Sequence, residues 1–299
     1  MHMIVITGAA GQLGRLVIAS LIRRGVPTSE IVAAAHTPSK ATDLAALGVR
    51  VREADYNKLD TLAKAFEGAT TLLLISSPNA DNRFPEHRAA VDAAKAAGVQ
   101  LLAYTSVLNA DTTTLLVGAD HQATEKYVTA SGIPWVFLRH PSYLENYTGS
   151  LGSALEHGGI PGAAGDGRNS AATRADLADA AAVVLKSPDG RAGKSYELGN
   201  DIAFTMKEFA AEVSKQSGKK VVYNNMSEQA YRALLESVGL PATIARYVAD
   251  SDAKAASHDE LYTASRDLSG LIGHPTTTFG EAIAVALLQV GQLVDPHHK

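Results

Sequence analysis

The chain has 299 residues, 46% of them hydrophobic, which suits one large α/β domain or a dinucleotide domain with a smaller satellite and argues against disorder. A net charge of -4 leaves no basic excess to neutralise a phosphate backbone, so nucleic acid is a poor partner. The absence of cysteine excludes disulfides, thiolate catalysis and Cys-based zinc or iron–sulfur sites, and it suits a reducing, cytoplasmic setting.

The N-terminal run MHMIVITGAAGQLG lacks a basic region followed by a long apolar stretch and reads as strand plus turn. No window approaches the ~18 uninterrupted apolar residues of a membrane span. Strands are predicted at 3–7, 31–35, 49–53, 71–75, 101–105 and 135–138, with helices near 12–24, 39–47, 58–67, 85–97 and 119–131 between them. Gly25, Gly48, Gly68, Gly98 and Gly132 each fall after a helical stretch and before the next strand, where glycine closes helices in the left-handed conformation. Strands joined by helix-length crossovers imply an α/β Rossmann fold, a doubly wound parallel sheet covered on both faces.

After residue 138 the rhythm breaks. A stretch rich in glycine (Gly158, Gly159, Gly162, Gly165 and Gly167) precedes a helix over 174–186 and a strand over 195–198. Helices are predicted at 206–217, 227–237, 241–254 and 278–291, with a short strand near 220–223. The expected division is a dinucleotide-binding portion, 1–145 with about 168–200, and a smaller, mainly helical substrate-binding portion, about 146–167 and 201–299. The end, Asp295 to Lys299 with His297 and His298, reads as a frayed tail.

The strongest local signal is Gly8-Ala9-Ala10-Gly11-Gln12-Leu13-Gly14, directly after the first strand. Gly8 permits the strand-to-helix turn, Gly11 lets backbone approach a pyrophosphate, and Gly14 allows close packing of helix on sheet. Amides opening that helix favour an anion. An NAD-selective site usually carries Asp or Glu at the end of the second strand, but here the chain reads Ala35-His36-Thr37-Pro38-Ser39-Lys40. His36 and Lys40 suit a 2′-phosphate, which favours NADPH over NADH.

Ligands of open α/β sheets bind beyond the carboxyl ends of the strands. The candidates there are Asp55 and Tyr56, Ser76 and Ser77, Thr105 and Ser106, and Leu138, Arg139, His140, Pro141, Ser142 and Tyr143. Asp55 is suited to the adenine amino group, and Ser76 and Ser77 to ribose and pyrophosphate. None of the ten tyrosines has lysine four residues later, so the usual Tyr-x-x-x-Lys proton device is missing. Hydride transfer to an already electron-poor acceptor such as a quinone can rest on orientation instead. Lys126, on the helix with His121 and Glu125, is either a contact to the nicotinamide ribose or a solvated lysine. Tyr143, Asn146 and Tyr147 either line an acceptor pocket with flat faces or belong to the core edge. No grouping shows metal-site spacing, and no Gly-x-Ser-x-Gly elbow is present.

Together with the glycine loop, the runs Ala103-Tyr104-Thr105-Ser106, Gly162-Ala163-Ala164-Gly165-Asp166-Gly167, Ala172-Thr173-Arg174-Ala175-Asp176 and Leu271-Ile272-Gly273-His274-Pro275-Thr276-Thr277-Thr278 resemble the NmrA-like, atypical short-chain dehydrogenases. The resemblance spans nearly the whole chain. It implies flavin-free and metal-free reduction of quinones by NADPH, with cofactor contacts from Gly8 to Leu13, the end of the second strand, Ser76 and Ser77, Leu138 to Tyr143, and Arg174. Tyr143 and Lys126 are the residues placed nearest the chemistry. The family commonly has arginine where this chain has His36, so NADH also becomes admissible. The chain also reads Arg139-His140-Pro141-Ser142-Tyr143 where an Arg-Asn-Gly type of run is usual, which bears on acceptor choice. Two alternatives stand beside quinone reduction: reduction of triphenylmethane dyes or other conjugated electrophiles, and NADP sensing without turnover. Folds of this kind often pair through exposed helices, which makes a homodimer the expected assembly.

Overall fold

The computed structural model describes residues 2–291. The tail read at 295–299 lies outside them. Seven strands form one parallel sheet: β1 (Ile4–Ile6), β2 (Ile31–Ala35), β3 (Arg50–Glu53), β4 (Thr71–Leu74), β5 (Leu101–Val107), β6 (Trp135–His140) and β8 (Lys194–Glu197). Their order across the sheet is β3-β2-β1-β4-β5-β6-β8. The chain therefore reverses direction of travel between β1 and β4, which creates a crevice at the carboxyl edge. This is the Rossmann arrangement that the strand–helix alternation predicts.

The central strands are apolar throughout because both faces are covered. Alternation sends Ile4 and Ile6 into one core layer and Val5 into the other. The first layer lies under α1 (Gln12–Arg23) and α8 (Arg174–Lys186), where Ala178, Ala181 and Ala182 allow a close helix pair. The second lies under α3 (Leu59–Phe66), α4 (Arg83–Ala96) and α5 (Gly118–Ser131). The edge strand β3, Arg-Val-Arg-Glu, is exposed or half-buried, as an edge that must resist pairing tends to be. All five glycines read as helix closures have positive φ, from +73° to +84°.

The elements differ from expectation in places that bear on function. β5 and β6 run two residues further than predicted, so Ser106, Arg139 and His140 lie inside strands rather than beyond them. The helix expected at 39–47 is a 3-10 turn (Pro38–Ala41) followed by α2 (Thr42–Ala46). The region read as irregular contains α6 (Leu144–Thr148), α7 (Leu151–His157) and β7 (Gly159–Gly162). The later short strand, β9 (Val222–Asn225), pairs parallel with β7 in a separate two-stranded sheet.

A third core draws on α6, α7, α9 (Met206–Ser217) and α13 (Phe279–Gln289), around Leu144, Leu151, Phe204, Phe209 and Ile283. Helices α10 (Glu228–Ser237) and α11 (Ala242–His258) pack against one another beside it. One helix departs from the expected division. Leu268 and Ile272 of α12 (Asp267–Ile272) pack on α8 and join the sheet's first core layer.

Candidate active site

The glycine loop is tied to its neighbours by backbone bonds. Ala9 N–H donates to Ala34 O at 3.2 Å and Gly11 N–H to Gly8 O at 2.9 Å. Gly8 has φ +59°, and a Cβ at Gly14 would stand 2.7 Å from both Ala9 Cα and Gly8 O. Helix α1 opens at Gly11 with no side chain capping its amides. Those donors, combined with the helix dipole, make an anion cradle, so the residues present fit a dinucleotide diphosphate.

Beyond β2, His36 is exposed. Its Nε2 lies 3.6 Å from Asp55 and its Nδ1 3.1 Å from Thr37 Oγ1. Asp55 is buried, and its carboxyl is held below the ordinary range first by the Asn57 amide, against desolvation, with Lys58 and His36 adding to the effect. Arg15, which sequence reasoning passed over, donates from Nε to Ala10 O at 3.0 Å and bonds the Lys40 carbonyl and Asp43. It therefore stands between the loop and the His36–Lys40 segment. Nothing in the sequence but its place in the first turn of α1 marks it.

A cleft of about 230 Å³ opens at the ends of β4, β5 and β6. Of the residues read from the sequence, Ser76, Thr105, Ser106, His140, Pro141, Ser142, Tyr143 and Asn146 line it. Arg83, Val107 and His121 complete the wall, beyond the site residues that the sequence predicts. His121 had a legible signal, since it shares a helix face with Glu125, and both are buried. Arg83 had none.

Several expected contacts go elsewhere. Lys126 is exposed on α5 and does not line the cleft, because the buried face of that helix carries His121, Thr124, Glu125 and Val128. The Arg139 guanidinium is consumed by three carboxylates: Glu125 at 2.7 and 3.0 Å, Asp111 at 2.7 and 2.8 Å, and Glu197 at 2.9 Å. It clamps β6 to α5, β8 and the loop after β5 instead of facing a ligand. The Leu138 side chain is fully buried in the first core layer. The Ser77 hydroxyl bonds Glu86, its N–H donates to His87 Nε2 at 2.9 Å, and its carbonyl accepts from Arg83 Nε at 2.9 Å. Ser77 is thus spent on anchoring α4. Tyr56 is half-buried against the second core layer, and burial pushes its hydroxyl up to about 12. Tyr147 leaves the cleft for the third core, packing edge-on to Phe204 at 6.0 Å and bonding Asn169. Arg174 places its guanidinium 4.2 Å over the Tyr143 ring and donates to Asn146 Oδ1 at 2.9 Å, so it braces the cleft wall.

The polar groups around the cleft form two layers. In the rear layer, His87 Nε2 accepts from Ser77 N–H, so its proton sits on Nδ1, 2.9 Å from Thr124 Oγ1. Burial, then the Arg83 charge, lowers His87 to about 3. The buried Tyr104 hydroxyl lies 2.7 Å from His121 Nδ1. Burial raises the Tyr104 pKa and drives His121 well below its ordinary value, with Arg83 adding to the latter. Tyr104 then donates, and the remaining His121 proton sits on Nε2, the nitrogen left for the cleft.

The front layer holds groups with nothing to bind. Ser106 Oγ and both ring nitrogens of His140 are buried without a hydrogen-bond partner among the described residues. Burial lowers His140 to about 3, so its ring is neutral. An unsatisfied buried polar group costs about 1–3 kcal/mol, so three such atoms at one sheet edge suit a site that a ligand completes.

Comparison with known proteins agrees with this geometry. The NmrA-like family profile matches residues 1–270. The chain is 52% identical over 282 residues to quinone oxidoreductase 2 of Escherichia coli strain K12, covering 94% of this chain and 98% of that protein. The crystal structure of an NADPH-dependent quinone oxidoreductase from Escherichia coli with NADPH superposes with a TM-score of 0.91 at 52% identity, over 95% of this chain and 99% of that one. Triphenylmethane reductase of a Citrobacter species with NADP(H) gives 0.90 at 38% identity, over 95% of this chain and all (100%) of that one. A parallel sheet, an uncapped glycine-loop helix and a partnerless polar cleft thus accompany a match along almost the entire sequence, and the chain belongs to the NmrA-like family.

Proposed function

We propose that the protein is an oxidoreductase that carries hydride from NADPH to quinone-type acceptors without flavin or metal. The observation that carries this reading is the pairing of the anion cradle at Gly8–Gly14 with polar groups at the β5 and β6 ends that have no partner among the described residues, in a chain 52% identical to quinone oxidoreductase 2 over 94% of its length. When bound, NADPH supplies a hydride to the acceptor, and a proton from water completes the hydroquinone. The first turn of α1 holds the diphosphate, and His36 and Lys40 face the 2′-phosphate, with Arg15 bracing their segment against the loop. Asp55 reaches the adenine, and Ser76, Thr105 and Ser106 border the ribose and nicotinamide. Portion 1–145 with about 168–200 holds the cofactor, and about 146–167 with the described residues after 201, α12 excepted, covers the acceptor. The setting is the cytoplasm.

The cleft works by neutral hydrogen bonding. His121 and His140 stay uncharged at neutral pH, so they orient and polarise an acceptor but do not act as strong acids. That favours acceptors already activated for hydride. Quinones are such acceptors, and so are dye carbocations, which need no proton at all. The likeness to triphenylmethane reductase makes those dyes the second reading.

The test follows cofactor absorbance with NADPH and NADH against benzoquinone, naphthoquinones and triphenylmethane dyes. Acceptor-dependent oxidation of NADPH is expected with quinones. Tight NADP binding with no oxidation by any acceptor would instead mark a sensor.

A further inference from the structure

We infer that His140 is the acceptor-recognition residue: it hydrogen-bonds a quinone carbonyl from the wall between the cleft and a second, apolar chamber that receives the quinone's fused ring or ring methyl. This rests on the quinone-reductase reading above and deepens it. The second chamber, of about 120 Å³, shares Val107, His140, Pro141 and Ser142 with the cleft. Its remaining wall is Leu108, Leu115, Val117 and Leu261, with Ser251 and the buried Glu260, whose carboxylate oxygens accept from Thr113 and Thr114 at 2.7–2.9 Å. It has room for about four groups of water or methylene size. That admits a fused benzo ring or a methyl group and leaves out a long isoprenoid tail.

His140 sits at the junction. It is 4% exposed, yet neither ring nitrogen has a partner among the described residues. A neutral imidazole offers one donor and one acceptor on opposite edges. A quinone carbonyl only accepts, so the N–H edge serves it, and the bare nitrogen takes a hydroxyl or water. The ring plane is constrained from the side. Tyr143 packs edge-on to His140 at 6.1 Å, and the Arg174 guanidinium lies 4.2 Å over the Tyr143 ring. The donor is consequently oriented before the acceptor arrives. Apolar space beside one fixed donor discriminates by ring size and by carbonyl position together.

The experiment uses protein loaded with NADP⁺, which cannot reduce a quinone, and measures binding of 1,4-naphthoquinone and 1,4-benzoquinone by calorimetry. The variants are His140→Ala, His140→Phe and Val117→Phe, each checked by its melting curve. His140→Phe keeps an aromatic ring, somewhat larger than imidazole, and removes both nitrogens, while His140→Ala removes them without adding bulk. Both His140 variants are expected to weaken naphthoquinone binding about tenfold or more, with NADP⁺ affinity changed by less than about threefold. Val117→Phe, which fills the chamber, should lower affinity for naphthoquinone and leave that for benzoquinone near its original value. The inference is overturned if folded His140 variants bind naphthoquinone as the parent does, or lose NADP⁺ and quinone affinity equally, which would return His140 to the cofactor. It is also overturned if Val117→Phe weakens both quinones alike. A parent protein that binds and reduces no quinone would bring down the reductase reading itself. A parent that reduces quinones, with His140 variants unaltered, would bring down the recognition role alone.

Discussion

A methyl group added at Gly14 would meet Ala9 Cα and Gly8 O at 2.7 Å, and both are backbone atoms that cannot swing aside. Gly14→Ala must therefore push α1 off the loop. Overpacking of this kind costs about 1–3 kcal/mol, and the displaced amides should raise the NADPH dissociation constant about tenfold or more, as read by fluorescence titration. The 2′-phosphate assignment rests on side chains instead. Replacing His36 and Lys40 together by Ala should raise KM for NADPH severalfold while KM for NADH stays within about twofold; equal effects would remove the assignment. Arg139 makes a structural prediction. Its guanidinium is the only cation within salt-bridge distance of Glu125 among the described residues. Arg139→Gln thus strands a buried carboxylate at a cost of about 3–5 kcal/mol. Thermal melting should fall by roughly 10 °C. Unchanged melting would mean the clamp contributes nothing.

Among the elements, α8 joins two tasks. Its length packs on α1 through small residues, and its first residue, Arg174, stacks on Tyr143 and bonds Asn146. Arg174→Ala should loosen the acceptor wall, raising KM for quinones severalfold with little change in KM for NADPH; the reverse pattern would make Arg174 a cofactor ligand. What the sequence disclosed at this scale followed from periodicity. Strands buried on both faces and helices closed by glycine announce themselves, and the phosphate loop is a local pattern in contiguous residues. The cleft beyond it is assembled from β4, β5, β6, α4, α5 and α6, and no contiguous pattern marks such an assembly. Short helices such as α6 and α7 hide among glycines because one or two turns carry too little periodicity. Lys126 illustrates the limit. Its residue type suited the chemistry, but the burial of His121, Thr124, Glu125 and Val128 fixes a helix rotation that turns it outward. His140 shows the converse: a residue at the expected edge whose importance lies in what it does not bond.

For the molecule as a whole, three buried neutral histidines dictate how stability responds to acid. His87 and His140 are lowered to about 3 from the ordinary 6.5, and His121 lies well below its ordinary value. Unfolding restores the ordinary value, so the unfolded chain binds more protons below about pH 6.5. The stability these histidines contribute is complete above that pH and falls progressively as pH drops toward 3, partly offset by the buried Asp252, whose carboxyl burial raises to about 6. At about pH 5, each of the two histidines with a stated value costs ~2 kcal/mol, and melting should fall by roughly 10 °C or more from its value at neutral pH. His140→Phe should reduce that acid sensitivity; an unchanged slope would show that His140 is not among the groups responsible.

The chain leaves the sheet after β6 to build α6, α7 and β7, returns for α8 and β8, and departs again for the remaining helices. Neither the sheet body nor the helical body is one continuous stretch of sequence. Anyone grafting the acceptor pocket of one such reductase onto another must therefore exchange two separate segments at once. A single splice after β8 would deliver half a lining, and one after β6 would bring the donor's α8 and β8 into the recipient's sheet.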